Sequence, residues 1–131
     1  MTYNATAAIT LLALAVYCLM GIRVAQTRAK VGIAAPAMTG NPLLERTIRA
    51  HENTLEWLPV FLPSLWLFAI YWGDWKAAIV GAVWIAGRIV YFLGYVSDAH
   101  KRERGFMIQA FATLILLLGA LGRAVYLLAV S

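Results

Sequence analysis

Between residues 45 and 59 the chain reads ERTIRAHENTLEWLP, a run dense in ionisable side chains that leads directly into the apolar stretch VFLPSLWLFAIYW. On a helix, Arg46, Arg49, Asn53, Glu56 and Val60 recur at steps of three, four, three and four residues and share one face. A second set obeys the same spacing: Arg88, Tyr91 and Tyr95, inside WIAGRIVYFLGYVSD. Charged groups on membrane-length helices are costly unless they point into a bundle or a cavity, so both faces are candidate binding surfaces. Arginine pairs bidentately with carboxylates. Glu56 can hold an ammonium group, and Asn53 and the phenols can orient peptide amides or carboxylate oxygens. The combination suits a small zwitterionic peptide with two carboxylates and an amine. A thiol on that peptide, with an ordinary pKa of about 8.5, would be drawn toward the nucleophilic thiolate by an adjacent guanidinium. The bilayer side would then admit a lipophilic electrophile. The sequence offers neither a Ser/His/Asp set nor metal-ligand spacing, so no metal is expected.

Each element also has a structural alternative. Arg49 and Glu56 would serve as an ion pair fixing helix packing, Tyr91 and Tyr95 as interface anchors, Arg88 as a residue bonded to carbonyls or to Glu, and Arg102 and Arg104 as topology determinants.

The elements that must carry these faces follow from composition. The chain has 131 residues, of which 63% are hydrophobic, and a mean hydropathy of +0.76, above the range of a soluble domain of this size. One domain with four spans, each needing about 20 residues, accounts for it. The expected fold is an all-α integral membrane protein, a four-transmembrane-helix bundle with helices at about 5–24, 43–72, 76–96 and 106–130. The first span reads as a retained anchor, since it lacks the basic start and cleavage site of a signal peptide. Asn41 is a candidate cap with Pro42 at the first helical position. Pro59 and Pro63 fall inside the second helix, which a membrane helix tolerates when neighbours satisfy the freed carbonyls. Gly73 and Asp74, flanked by Tyr71, Trp72 and Trp75, mark a turn at one interface. Gly119 and Gly122 are expected to permit close packing of the fourth helix. Cys18 is the only cysteine, which leaves no intrachain disulfide framework.

The net charge of +5 comes from residues near helix ends, which speaks for topology and against nucleic acid as a partner. Arg23, Arg28, Lys30, Arg46, Arg49, Lys101, Arg102 and Arg104 lie near the first and third connections, so these are expected in the cytoplasm and both termini on the other side. The start of the second helix and the end of the third then meet at one membrane face. A bacterial inner membrane is the expected location for so short and compact a chain.

Together, ERTIRAHENTLEWLPVFL and WIAGRIVYFLGYVSDAHKRERG closely resemble the MAPEG family, the membrane-associated proteins of eicosanoid and glutathione metabolism, most of all its third microsomal glutathione transferase type. The resemblance implies a homotrimer of four-helix subunits with glutathione, a co-substrate, bound between neighbours near the cytosolic face. By position it assigns Arg28, Arg49, His51, Asn53, Glu56, Tyr91 and Tyr95 to glutathione binding. Arg102 matches the arginine that stabilises the thiolate, with Arg104 as second candidate. His51, Trp57 and Ala29 depart from the glutamine, tyrosine and second arginine of the leukotriene-forming branch, which argues against leukotriene synthesis. The implied activity is conjugation of glutathione to hydrophobic electrophiles, with reduction of lipid hydroperoxides alongside it. The rival within the family is a non-catalytic lipid-binding scaffold like the 5-lipoxygenase-activating protein; a more distant one is a small transporter with Glu56 as its coupling carboxylate.

Overall fold

In the computed structural model, which describes residues 2–131, four helices follow one another: α1 (Asn4–Val31), α2 (Pro42–Trp72), α3 (Asp74–Ser97) and α4 (Glu103–Val130). A short 3-10 turn, Ala99–Arg102, joins the last two. All four helices are long and apolar enough to cross a membrane.

Local sequence explains most of the ends. Helix α1 outruns its expected stop at residue 24 because Ala25, Gln26, Arg28, Ala29 and Lys30 are good helix formers. It ends only at Gly32, whose left-handed backbone (φ 74°) lets its N–H donate to the Arg28 carbonyl at 2.9 Å. Helix α2 starts where Asn41 Oδ1 accepts from the N–H groups of Leu43 (2.9 Å) and Leu44 (3.2 Å), with Pro42 in the first turn. It continues through Pro59 and Pro63 to Trp72.

Two ties fix the antiparallel order. At one end the Asp74 carboxylate accepts from the backbone N–H of Ala5 (3.0 Å) and Thr6 (2.7 Å), capping α1 from the α2–α3 turn. At the other, Arg46 donates from Nε (3.3 Å) and Nη2 (3.2 Å) to the Val96 carbonyl, binding the start of α2 to the end of α3. The polar faces of α2 and α3 are therefore carried to the same end.

The core between these ties is apolar. Phe61 of α2 stacks on Trp84 of α3 with ring centroids 3.8 Å apart and planes at 4°, among Leu58, Leu65, Ile85 and Leu116. Because lipid gives no hydrophobic drive between helices, close approach has to come from small residues. A Cβ at Gly105 would collide with the Tyr91 backbone and the Gly87 carbonyl oxygen, and one at Gly87 would stand 2.7 Å from the Gln109 nitrogen. Helices α3 and α4 thus touch backbone to backbone, which seats the first turn of α4 against Tyr91. Gly119 likewise makes room for the Phe68 ring, whereas Gly122 has no neighbour within 4 Å among the described residues, so within the chain the expected close packing is seen at Gly119.

Candidate functional site

A cavity of about 620 Å³ opens at the end where α2 begins and α3 stops, lined by Arg49, Asn53, Tyr91, Tyr95, Arg102, Glu103, Phe106 and Met107. Three elements and a turn supply it. The helical spacing sets Arg49 and Asn53 on the α2 wall and Tyr91 and Tyr95 on the α3 wall. The 3-10 turn then folds Arg102 back over the α3 wall, and the first turn of α4 closes the remaining side with Glu103, Phe106 and Met107.

Within the cavity, Arg49 Nη1 lies 3.0 Å from Glu56 Oε1 and 3.7 Å from Glu52 Oε2. Glu56 reaches the site through that pair and is not itself a lining residue. The rings of Tyr91 and Tyr95 meet edge to face at 5.6 Å, and Phe106 stands 6.3 Å from Tyr91. The Arg102 guanidinium carbon is 5.2 Å from the centre of the Tyr95 ring, and Nη1 donates to the Ala99 carbonyl at 2.6 Å. One wall is thus cationic and hydrogen-bonding, while the other sets the apolar Phe106 and Met107 beside the Glu103 carboxylate.

The turn that carries Arg102 has its own stop. Asp98 Oδ1 accepts from the His100 N–H at 2.9 Å, and this bond holds the Asp98 carboxyl below the usual carboxylate range. Its slight desolvation opposes the effect, and the charges of His100, Lys101 and Arg46 add to it.

Not every residue expected at the site is at this cavity. His51 follows Arg49 by two positions and so lies on the far side of α2, stacked on Tyr17 of α1 with centroids 4.5 Å apart. Arg28 donates from Nη1 to the carbonyls of Ala37 (2.5 Å) and Ile33 (3.4 Å), holding the α1–α2 loop. Arg104 lines a separate, solvent-facing hollow with His100, Lys101 and Glu103. Conversely, Glu103, Phe106 and Met107 were not singled out from the sequence. Their steps of three and one are one helical face, but without the crossing of α3 and α4 nothing distinguishes it from the rest of an apolar span.

A pocket with this mixed lining can hold a small anionic or zwitterionic molecule against the cationic wall and an apolar one beside it. The MAPEG family model matches residues 6–122. An uncharacterized protein of Synechocystis is 50% identical over 115 residues, covering 88% of this chain and 84% of the relative. Human microsomal glutathione S-transferase 2 is 38% identical over 119 residues, 90% of this chain and 81% of the relative. Bovine leukotriene C4 synthase is 34% identical over 117 residues, 88% and 78% of the two chains. On the extent of that family match and the identity of these relatives, the chain belongs to the MAPEG family.

Proposed function

We propose that this protein is a membrane glutathione transferase that joins glutathione, its co-substrate, to hydrophobic electrophiles. Glutathione-dependent reduction of lipid hydroperoxides is a second reaction open to the same thiolate. The observation that carries the reading is the cavity itself: two arginines, an amide and two phenols face Phe106, Met107 and Glu103 at the end of a membrane-length bundle. Relatives named microsomal glutathione S-transferase 2 in human, mouse and cattle support it.

In this reading Arg49 and Asn53 take acceptor oxygens of the peptide, Glu56 takes its ammonium group, and Tyr91 and Tyr95 orient its backbone. Arg102 stabilises the sulfur as thiolate after the thiol proton leaves to solvent. The thiolate lone pair forms the new C–S bond; at a saturated or aryl carbon the leaving group departs with its bonding electrons, and at an activated double bond the π bond breaks, its pair moving to the far atom, which takes a proton from solvent. Phe106 and Met107 bring the apolar substrate alongside.

Arg28 enters through assembly: it lies away from the cavity of its own chain, and in a homotrimer with glutathione between neighbours it reaches the ligand of the adjacent copy. His51, stacked on Tyr17 with Nε2 buried against α1, holds α2 to α1 behind the binding face. The same reading puts the first and third connections in the cytoplasm and the termini opposite, in a bacterial inner membrane. Likeness to the third microsomal type belongs to the proposal too, beside named relatives of the second type and leukotriene C4 synthase.

The deciding experiment mixes detergent-purified protein with glutathione and follows thiolate absorbance near neutral pH, with Arg49→Ala as control. Thiolate in the native protein but not in the variant is the expected result. No thiolate, together with no heat of glutathione binding, would turn the cavity into the lipid-presenting site of a scaffold.

A further inference from the structure

Arg88 does not line the cavity, yet it holds two residues that do. It is 1% exposed, buried in the middle of a membrane-length helix. No carboxylate pairs with it among the described residues. Its Nη2 donates instead to two neutral oxygens on α2: Asn53 Oδ1 at 3.0 Å and Thr54 Oγ1 at 2.7 Å. Thr54 is a fixed anchor, because its hydroxyl donates to the Ala50 carbonyl at 3.0 Å and so turns its lone pairs to the arginine. The guanidinium carbon lies 4.1 Å from the centre of the Tyr91 ring. Among the described residues, Nε and Nη1 find no hydrogen-bond partner. A buried cation held only by neutral groups is expensive, so what it does for those groups is its reason to be there.

What it does to Asn53 follows from donor and acceptor chemistry. A guanidinium only donates, so the Asn53 carbonyl oxygen must face Arg88 and is consumed there. The amide nitrogen is left with no partner among the described residues, on a residue that lines the cavity. We propose that Arg88 is a positioning residue: by occupying the Asn53 oxygen it fixes the amide as a pure donor toward the cavity, so that this wall selects an acceptor of the bound peptide, a carboxylate or a peptide carbonyl. Arg49 on the same wall is donor-only as well, which leaves an ammonium group no place there other than at the glutamates. The inference rests on the cavity binding glutathione and assigns the polarity of one of its walls.

The test uses the full-length protein in detergent, with glutathione as the probe, calorimetry for affinity and steady-state KM against kcat. Asn53→Asp keeps the volume and gives Arg88 a carboxylate to pair with, but replaces the donor by an acceptor. Its glutathione affinity should fall about tenfold or more, with KM rising, kcat little changed and thermal unfolding no lower than in the native protein. Arg88→Met should weaken binding in the native background and cost nothing further in an Asn53→Ala background, since it acts through Asn53. Native-like affinity in Asn53→Asp overturns the proposal, as does an equal effect of Arg88→Met in both backgrounds. Should Arg88→Met fail to fold, the Asn53→Asp result decides alone. Native protein that binds no glutathione would overturn the functional reading and take this inference with it, an outcome distinct from binding that ignores Asn53→Asp.

Discussion

Arg49 and Glu56, two turns apart on α2, face each other across 3.0 Å at the mouth of the cavity, with side chains 51% and 54% exposed. A pair this open to solvent contributes little to stability, about 0–1 kcal/mol. Arg49→Ala and Glu56→Gln should therefore leave thermal unfolding in detergent nearly unmoved. Glutathione affinity should fall by roughly 10–100-fold in each, the loss of one charge-assisted hydrogen bond. Calorimetry alongside a thermal scan checks both halves. A large drop in stability with unchanged affinity would make the pair structural.

Arg102 should act on the sulfur and not on affinity. In Arg102→Ala the glutathione Kd is expected to stay within about threefold, less than 1 kcal/mol, while turnover falls about 10²–10³-fold, as for loss of one preorganised donor. The pH profile gives the sign. With Arg102 in place the thiol pKa is depressed and the rate is flat across neutral pH; without it the rate should climb with pH toward an apparent pKa of about 8.5. Arg104→Ala, in its separate hollow, should keep the flat profile. The reverse pattern would move the role to Arg104.

Asp98 controls the turn on which Arg102 rides. Its carboxyl titrates below the ordinary value because the charged form accepts the His100 N–H. A depressed folded pKa means that this contribution is complete above the ordinary carboxylate pKa, about 3.9, and is lost as pH falls through the lower folded value. No acid limb from Asp98 is expected above about pH 5. Asp98→Ala should lower turnover, whereas Asp98→Asn, which retains the side-chain carbonyl as acceptor, should restore most of it. Equal activity in the two variants would remove the cap from the account.

Gly105 is where α3 and α4 touch. A methyl group there meets the backbone of Tyr91 and the carbonyl of Gly87, neither of which can rotate away. Gly105→Ala should cost about 1–3 kcal/mol of stability and shift Tyr91, weakening glutathione binding with it. Gly122→Ala, with no neighbour within 4 Å in the chain, is the matched control in a detergent thermal scan. Destabilisation of the control alone would point to packing between copies at α4.

Hydropathy and charge placement made the four spans and their shared basic end legible, because bilayer thickness fixes the length of an apolar run and charge is expelled to its ends. Helical periodicity also placed Arg49, Asn53, Tyr91 and Tyr95 on two common faces, since spacing within one helix is a local property. Boundaries were less legible: the charge of Arg23 set the expected end of α1 at about residue 24, while the backbone stops only where Gly32 adopts a left-handed conformation. What local patterns could not supply is which faces oppose. His51 sits between two cavity residues in sequence but points at α1, and Glu103, Phe106 and Met107 join the cavity only because Gly87 and Gly105 let α4 cross α3 backbone to backbone. The partners of Arg88, likewise, are set by a crossing of helices that no spacing within either helix encodes. Local pattern thus sets the spans and the chemistry that each face carries; which of those faces share a cavity is set by the helix crossings, because opposition between helices depends on how closely their backbones approach.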